Sequence, residues 1–338
     1  MSKAVLVVLV VAGAFGIWYF YNNYEIQRQQ DQLIIKPLAT QSADEPPTAE
    51  QQSDRPPVDR QRNRIRIASF NLGFLDRNKL SKRHVAGHLA SLARRFDILA
   101  VQDIHARNQE VLVGLVEQIN CPGRHYDFAT SPSVGRDPVE QYSAFLFDRA
   151  SVEIDRRTVS TVVDPDGRLS RKPLVASFRV RGPDAAEAFT FTLVNVHTDP
   201  DRIAVELELL DNVFRAVRDD GRNEDDIILL GDLGADDRYL GRLAEPLNIT
   251  CSISGVPSTT RGNRLSDNIL FNRRATIEFT GRSGVVDLMR ELNLSMQQAL
   301  EISDHLPVWA EFSVYEGGQA GHVASRPKIS PPKDGINR

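Results

Sequence analysis

The sequence predicts a strand-rich α/β domain of about 250 residues, built either as two packed sheets with helices outside or as a single mixed sheet. Three observations predict it. Between residues 63 and 315, short apolar runs of strand character alternate with stretches at helical spacing, polar residues recur where the apolar runs end, and both flanks shift to compositions that bury little surface.

The elements follow in chain order. IRIASFN (65–71) reads as a strand; residues 79–96 carry Leu80, Val85, Leu89 and Leu92 at helical spacing; DILAVQ (97–102) is a second buried strand. A helix over 106–120 precedes four strands, HYDFAT, QYSAFLFD, PLVASFRV and AFTFTLVNVH, with a Gly-Pro-Asp turn between the last two. A helix over 202–218, the strand DIILL, a short helix over 238–244 and strands at DNILF, ATIEF and PVWAEF complete the body. No internal repeat is present.

The flanks carry different signals. Residues 4–20, AVLVVLVVAGAFGIWYF, contain no charge and end in Trp18, Tyr19 and Phe20, with Tyr21 next. At about 1.5 Å per residue this run nearly spans a hydrocarbon core of about 30 Å, with the aromatics at the interface. Residues 1–23 are therefore expected to be a single-pass membrane anchor with the body outside the cytoplasm. A cleaved signal peptide is the competing reading, since Ala12 and Ala14 offer small residues for a cleavage site. Residues 24–62, rich in Gln, Asp, Glu and paired prolines, are expected to be a disordered linker, and residues 316–338 a disordered tail.

The chain has 338 residues, 41% hydrophobic and 25% charged, with a formal net charge of −4. That balance argues against gripping nucleic acid by overall basicity and leaves partners to be argued from a local site. Two cysteines, Cys121 and Cys251, are too few for a disulfide scaffold. They either form one bridge or stay as buried apolar residues.

Polar residues collect at the ends of the strands. Asn71 ends the first, Gln102 and Asp103 the second, Asn195 and His197 stand in LVNVH, and Asp232 follows DIILL in the segment GDLGA. Asp267 opens DNILF, and Ser303, Asp304 and His305 precede PVWAEF. Any one of these is ordinary turn or cap chemistry. Their repetition points to a site, because ligands gather at strand ends in α/β sheets.

The ordered series SFNLGFL, DILAVQD, VEQYSAFLFDR, SRKPLVASF, LVNVH, ILLGDL, SDNILF and ISDHLPV resembles the endonuclease/exonuclease/phosphatase superfamily, the deoxyribonuclease I-like fold, over residues 65–312. The resemblance implies a four-layered α/β sandwich of two packed mixed β-sheets flanked by helices, and metal-dependent hydrolysis of phosphoesters. It implies metal ligands at Asn71, Asp103 and Asp304, for Mg2+, Mn2+ or Ca2+. His197, oriented by Glu140, and His305, with Asp232 and Asp267, take the catalytic positions, while Arg171, Tyr142 and Asn195 fall to the substrate. The grouping is chemically coherent: a phosphodiester anion needs cations to neutralise it and groups that move protons near neutral pH. The basic run of Arg156, Arg157, Arg168, Arg171 and Lys172 is read either as phosphate contacts or as a solvated loop.

The chain departs from the superfamily pattern at three positions. Gln102-Asp103 stands for Gln-Glu, Gly234 for the Asn of Gly-Asp-x-Asn, and Ser266 for a common aromatic whose loss is expected to open the pocket. The leading expectation is a membrane-tethered, metal-dependent endo- or exonuclease acting on nucleic acid. The alternatives are a lipid or sugar-phosphate phosphoesterase, of sphingomyelinase or inositol phosphatase type, and a binding module with impaired catalysis.

Overall fold

In the computed structural model, the described residues are 24–29, 32–37, 56, 62–106, 108–120, 123–132, 141–243 and 248–320. The expected anchor, the cleavage-site alanines, Cys121 and Glu140 lie outside them. Among the described residues no helix is long and apolar enough to cross a membrane. Two contact units separate, residues 1–55 and 56–338.

The first unit holds a hairpin at the start of the stretch expected to be a linker, most of which lies outside the described residues. Strands β1 (Tyr24–Gln29) and β2 (Gln32–Pro37) pair antiparallel. Ile26, Leu33, Ile34 and Ile35 give this short stretch the β-propensity that the surrounding Gln and Pro lack.

In the second unit the strands are β3 (Arg64–Leu75), β4 (Ile98–His105), β5 (Tyr126–Thr130), β6 (Gln141–Asp148), β7 (Val152–Thr161), β8 (Leu174–Val180) and β9 (Thr190–His197). They continue with β10 (Ile227–Asp232), β11 (Ile249–Cys251), β12 (Asp267–Asn272), β13 (Phe279–Val285) and β14 (Val308–Ser313). The helices are α1 (Arg77–Ser81), α2 (Arg83–Ala93), α3 (Glu110–Ile119), α4 (Ile203–Arg218), α5 (Leu288–Leu292) and α6 (Met296–Ile302). Two six-stranded mixed sheets result, ordered β13-β14-β3-β4-β6-β5 and β11-β12-β10-β9-β8-β7.

Three apolar layers explain the stacking. Ile65, Ile67, Ile98, Phe145 and Phe312 of one sheet meet Phe178, Phe191, Leu193, Ile228 and Phe271 of the other between the sheets. Outside the first sheet, Ala68, Phe70, Leu99 and Leu146 pack on Val85, Leu89, Leu112, Leu115 and Ile302 from the helices. Outside the second, Val194, Ile227 and Leu229 receive Leu207, Leu210, Val213 and Phe214 of α4. The result is the four-layered sandwich, with each strand two-faced at a period of two.

Several boundaries differ from the sequence reading. The helix expected over 79–96 breaks at Lys82, whose extended backbone ends α1 and starts α2. Among the described residues 238–243, a single 3-10 turn, Gly241–Leu243, forms where a helix over 238–244 was expected. ATIEF is a turn that hands over to β13 at Phe279. Helices α5 and α6 escaped the reading, although α6 has a capping box of Ser295 and Gln298. The fold also runs past Tyr315: Glu316 N donates to the Glu187 carbonyl at 2.8 Å, so the segment 316–320 is tied down. Cys251 is a free thiol, raised to about 11 by burial and Asp237.

One glycine fixes how β10 meets its neighbour. Gly231 sits at φ 149°, and a Cβ there would stand 1.9 Å from the Val196 carbonyl oxygen of the parallel strand β9. Backbone cannot yield as a flexible side chain does. Gly231→Ala is accordingly expected to leave no folded protein at 25 °C by circular dichroism and gel filtration; a variant with wild-type melting temperature contradicts this register.

Candidate active site

The period of two that fills the space between the sheets also builds the site. On β3 the inward positions run Ile65, Ile67, Ser69, Asn71; on β4, Ile98, Ala100, Gln102; on β9, Phe191, Leu193, Asn195, His197; on β10, Ile228, Leu230, Asp232. Each series turns from apolar to polar at the same end. The parallel pairing of β9 and β10 sets His197 beside Asp232, and the antiparallel pairing of β10 and β12 sets Asp232 beside Asp267.

Asp232 is the hub. Its Oδ1 accepts from Ser266 Oγ at 2.7 Å and from the Gly234 amide at 3.0 Å, and its Oδ2 accepts from Asn71 Nδ2 at 2.9 Å. Two imidazoles face Oδ2, His305 Nε2 at 3.6 Å and His197 Nε2 at 3.9 Å. Burial alone would raise this carboxyl, but the two histidines, Ser266 and Asn71 outweigh it and the net shift is downward. Asp232 is thus held as a carboxylate although only 8% of it is exposed.

The two imidazoles are biased in opposite directions. His305 Nδ1 pairs with Asp267 Oδ2 at 2.9 Å, and Ser258 Oγ donates to the same oxygen at 2.8 Å. Against its burial, the carboxylates of Asp267, Asp232 and Asp304 raise His305 to about 9. Asp267 itself, fully buried, is raised to about 6, mainly by desolvation, so between these values the two form an ion pair. His197 moves down, through burial and the neighbouring Arg171 cation. One imidazole keeps its proton and the other sheds it.

Oxygen donors gather beside this hub at the exit of β3. Asn71 Oδ1 accepts from the Gly73 amide at 3.0 Å, and a Cβ on Gly73 would stand 3.0 Å from Asp304 Oδ1. Asp103 takes a left-handed backbone, φ 63°, at a break in the register with both neighbouring strands. Its Oδ2 accepts from the Phe74 amide at 2.5 Å and its Oδ1 contacts His105 Nε2 at 2.8 Å. Lys79 donates to the carbonyls of Leu72 and Gly73, both at 2.6 Å. Burial lowers its ammonium to about 8 even though Asp304, Asp103 and Asp76 oppose the shift. Asn71, Asp103 and Asp304 are therefore brought to one loop. Asp232, Asp267 and His305 also place donor atoms within 4.8 Å of one another, but those groups are engaged with each other and with Ser258, Ser266 and Asn71.

The residues expected to touch substrate divide. Arg171 Nη1 donates to the Thr198 carbonyl at 3.1 Å, and its guanidinium meets the Gln141 side chain when that amide turns its nitrogen to Asp103 Oδ1, at 3.2 Å. Tyr142 is not in the site. It points to the helical face of β6, 7% exposed, and its hydroxyl donates to the Asn108 carbonyl at 3.1 Å. Its neighbour Gln141, on the opposite face by strand alternation, is the one that reaches Asp103. Asn195 lies beneath the site, 1% exposed, accepting from Gln102 at 2.8 Å and donating to the carbonyls of Val101 and Ala144 across the inter-sheet gap. It joins the sheets and does not face substrate. Arg156, Arg157 and Arg168 pair with Asp127, Asp155 and Asp166 at the solvated surface, the first two on strand β7 and not in the loop that was expected.

Ser266, expected to open the pocket, instead fills it with a hydroxyl that donates to Asp232 and is 1% exposed. Ser303, noted at its strand end, donates to the Asn71 carbonyl at 2.7 Å, while Ser258, Lys79, His105 and Gln141 also support the site and escaped the sequence reading. For His105 a signal was available, since it lies two residues after Asp103 on a strand and so shares its face.

A carboxylate kept charged between an imidazole that gives up its proton and one that retains it serves both proton transfers of a hydrolysis. With hard oxygen donors alongside, the class so defined is that of enzymes that hydrolyse phosphoesters. The sequence matches the Endonuclease/Exonuclease/phosphatase family over residues 68–305. The chain belongs to that family and is a hydrolytic phosphoesterase. It is similar to Deoxyribonuclease-1-like 2 of Mus musculus, 29% identical over 271 residues that cover 74% of this chain and 92% of the relative. Deoxyribonuclease gamma of Rattus norvegicus is 26% identical over 261 residues, 72% of this chain and 83% of its own length. Among solved structures, humanized D. rerio TDP2 is similar in fold, with TM-score 0.53 and 16% identity over 74% of this chain and 98% of that one.

Gly234 stands at φ 63°, where a Cβ would meet Ile203 Cδ1 at 2.8 Å and Thr198 Oγ1 at 3.1 Å. A Cβ here fits only if the Ile203 side chain is pushed aside. Gly234→Asn is thus expected to lower thermal stability by about 1 kcal/mol or more and to give no gain in turnover. A several-fold gain in kcat with unchanged melting temperature contradicts this reading.

Proposed function

We propose that the chain is a metal-dependent nuclease that hydrolyses phosphodiester bonds of DNA. The observation that carries the reading is the convergence of His305 Nε2 and His197 Nε2, at 3.6 and 3.9 Å, on one oxygen of an ionised Asp232. Its similarity to deoxyribonucleases over most of their length supports the choice of substrate.

In hydrolysis a water proton must leave as the P–O bond forms, and the departing alkoxide must gain one. Neutral His197 is suited to accept the first, with Asp232 orienting the water and balancing the imidazolium that results. Protonated His305 is suited to donate the second, and Asp267 holds it charged and in one orientation. The two histidines end with exchanged charge and are reset by solvent. Arg171 contributes a fixed cation beside the phosphate position.

Asn71, Asp103 and Asp304 would hold the divalent cation. Their hard oxygens suit magnesium, manganese or calcium, and the focus of Asp103 and Asp304 on the Lys79 ammonium supports a common point of negative potential between them. When bound, the cation would neutralise charge on the phosphoryl group. With a net charge of −4 the chain needs such local cations to approach a polyanion. Tethering of this domain to a membrane, with the catalytic face outside the cytoplasm, rests on residues 4–21 and remains part of the proposal.

Supercoiled plasmid incubated with Mg2+ or Mn2+ is expected to be nicked and linearised, and EDTA to stop it. His305→Ala and His197→Ala should each lower the rate by about 10²- to 10⁴-fold with the fold intact. Plasmid left intact under every divalent metal, or cleavage unaffected by either substitution, excludes the mechanism.

A further inference from the structure

At the opposite end of β10 from Asp232, about 20 Å away at roughly 3.3 Å per strand residue, a second group of acids is buried. Asp226 precedes β10, Glu278 precedes β13, and Glu316 follows β14; donor oxygens of the three lie within 4.8 Å of one another. Asp226 and Glu278 are each 2% exposed. Glu224 and Asp225 flank them, with the Asp226 amide donating to Glu224 Oε1 at 2.9 Å.

Part of this cluster is satisfied by the chain. The Gly317 amide donates to Glu278 Oε1 at 2.7 Å, and the Thr190 amide to Glu316 Oε2 at 3.2 Å. Two carboxylate oxygens are not: Asp226 Oδ1 and Glu278 Oε2 are buried without a close hydrogen-bond donor. Thr276, fully buried on the turn after β12, turns its hydroxyl to the Asp226 carboxylate as a single neutral donor among like charges. Buried oxygens left without donors cost several kcal/mol together unless a proton or a cation meets them. The charges that weigh most on Asp226 are those of Glu278, Glu224 and Glu316, all of the same sign.

We infer that Asp226, Glu278 and Glu316, with the Thr276 hydroxyl, form a structural calcium site that clamps the two sheets together at the end remote from catalysis. Asp226 adjoins a strand of one sheet, Glu278 and Glu316 adjoin strands of the other, and Thr276 lies on the connection between them. Calcium takes six to eight oxygens at about 2.3–2.6 Å, so two ligands of one ion lie no more than about 5 Å apart. The three carboxylates meet that spacing. Calcium's flexible coordination suits this irregular set better than the strict octahedron that magnesium demands. The clamp acts on stability and takes no part in the chemistry.

The test uses the whole chain, stripped with EDTA and dialysed. Calcium chloride alone, without substrate, is expected to raise the melting temperature saturably, by on the order of 5–10 °C at about a hundred times the dissociation constant. Asp304→Asn should keep that rise, whereas the double variant Asp226→Asn, Glu278→Gln should lose it and bind one calcium fewer in equilibrium dialysis. If the double variant does not fold, Glu316→Gln, at a half-buried position, decides the matter by the same dialysis. Equal calcium uptake by wild type and variants overturns the site. So does a wild type that takes up no calcium at this end while the amide variants are the more stable, because the acids then share protons only.

Discussion

The site depends on one interaction above the others, the maintenance of a charge on Asp232 in a place that water scarcely reaches. Desolvation of a carboxylate is costly, and a neutral acid here would neither orient water nor balance an imidazolium. Three hydrogen bonds, from Ser266, Asn71 and the Gly234 amide, and two imidazoles at less than 4 Å offset that cost. The same carboxylate raises both histidines, so their opposite bias comes from what stands behind each: Asp267 behind His305, Arg171 beside His197.

The scaffold serves that point in ways that are not chemical. Gly231 lets β10 approach β9 closely enough to set Asp232 beside His197. Asn195 spends its amide on carbonyls of the facing sheet, which holds the strand carrying His197 in register across the gap. Loss of such a buried, fully used amide typically costs about 1–3 kcal/mol. At the far end, the acids of the inferred calcium clamp join the same two sheets, so the inter-sheet spacing is tied at both ends of the apolar core.

Much of this was legible from the chain alone. Alternating apolar residues fixed the faces of the strands, and the recurrence of Asn, Asp and His at their ends marked the side on which the site lies. The sequence could not show which strand neighbours which, so Asp232 could be paired with His197 and Asp267 only by resemblance. Tyr142 and Gln141 illustrate a subtler limit: a shift of one residue exchanges faces, and the irregular pairing of β4 and β6 decides which of them reaches Asp103. Ser266 and Gly234 looked like losses because an expected side chain was missing. In three dimensions the hydroxyl of one and the amide of the other both donate to Asp232.

The most direct measurement is an NMR titration of the imidazole protons in metal-free wild type and Asp232→Asn. In the wild type His305 should titrate near 9 and His197 below the ordinary histidine value. Because the Asp232 carboxylate favours the charged form of both rings, its neutralisation should lower both transitions while Asp267 keeps His305 the higher of the two. Transitions that stay where they were in the wild type would mean that the buried charge is not what organises the site.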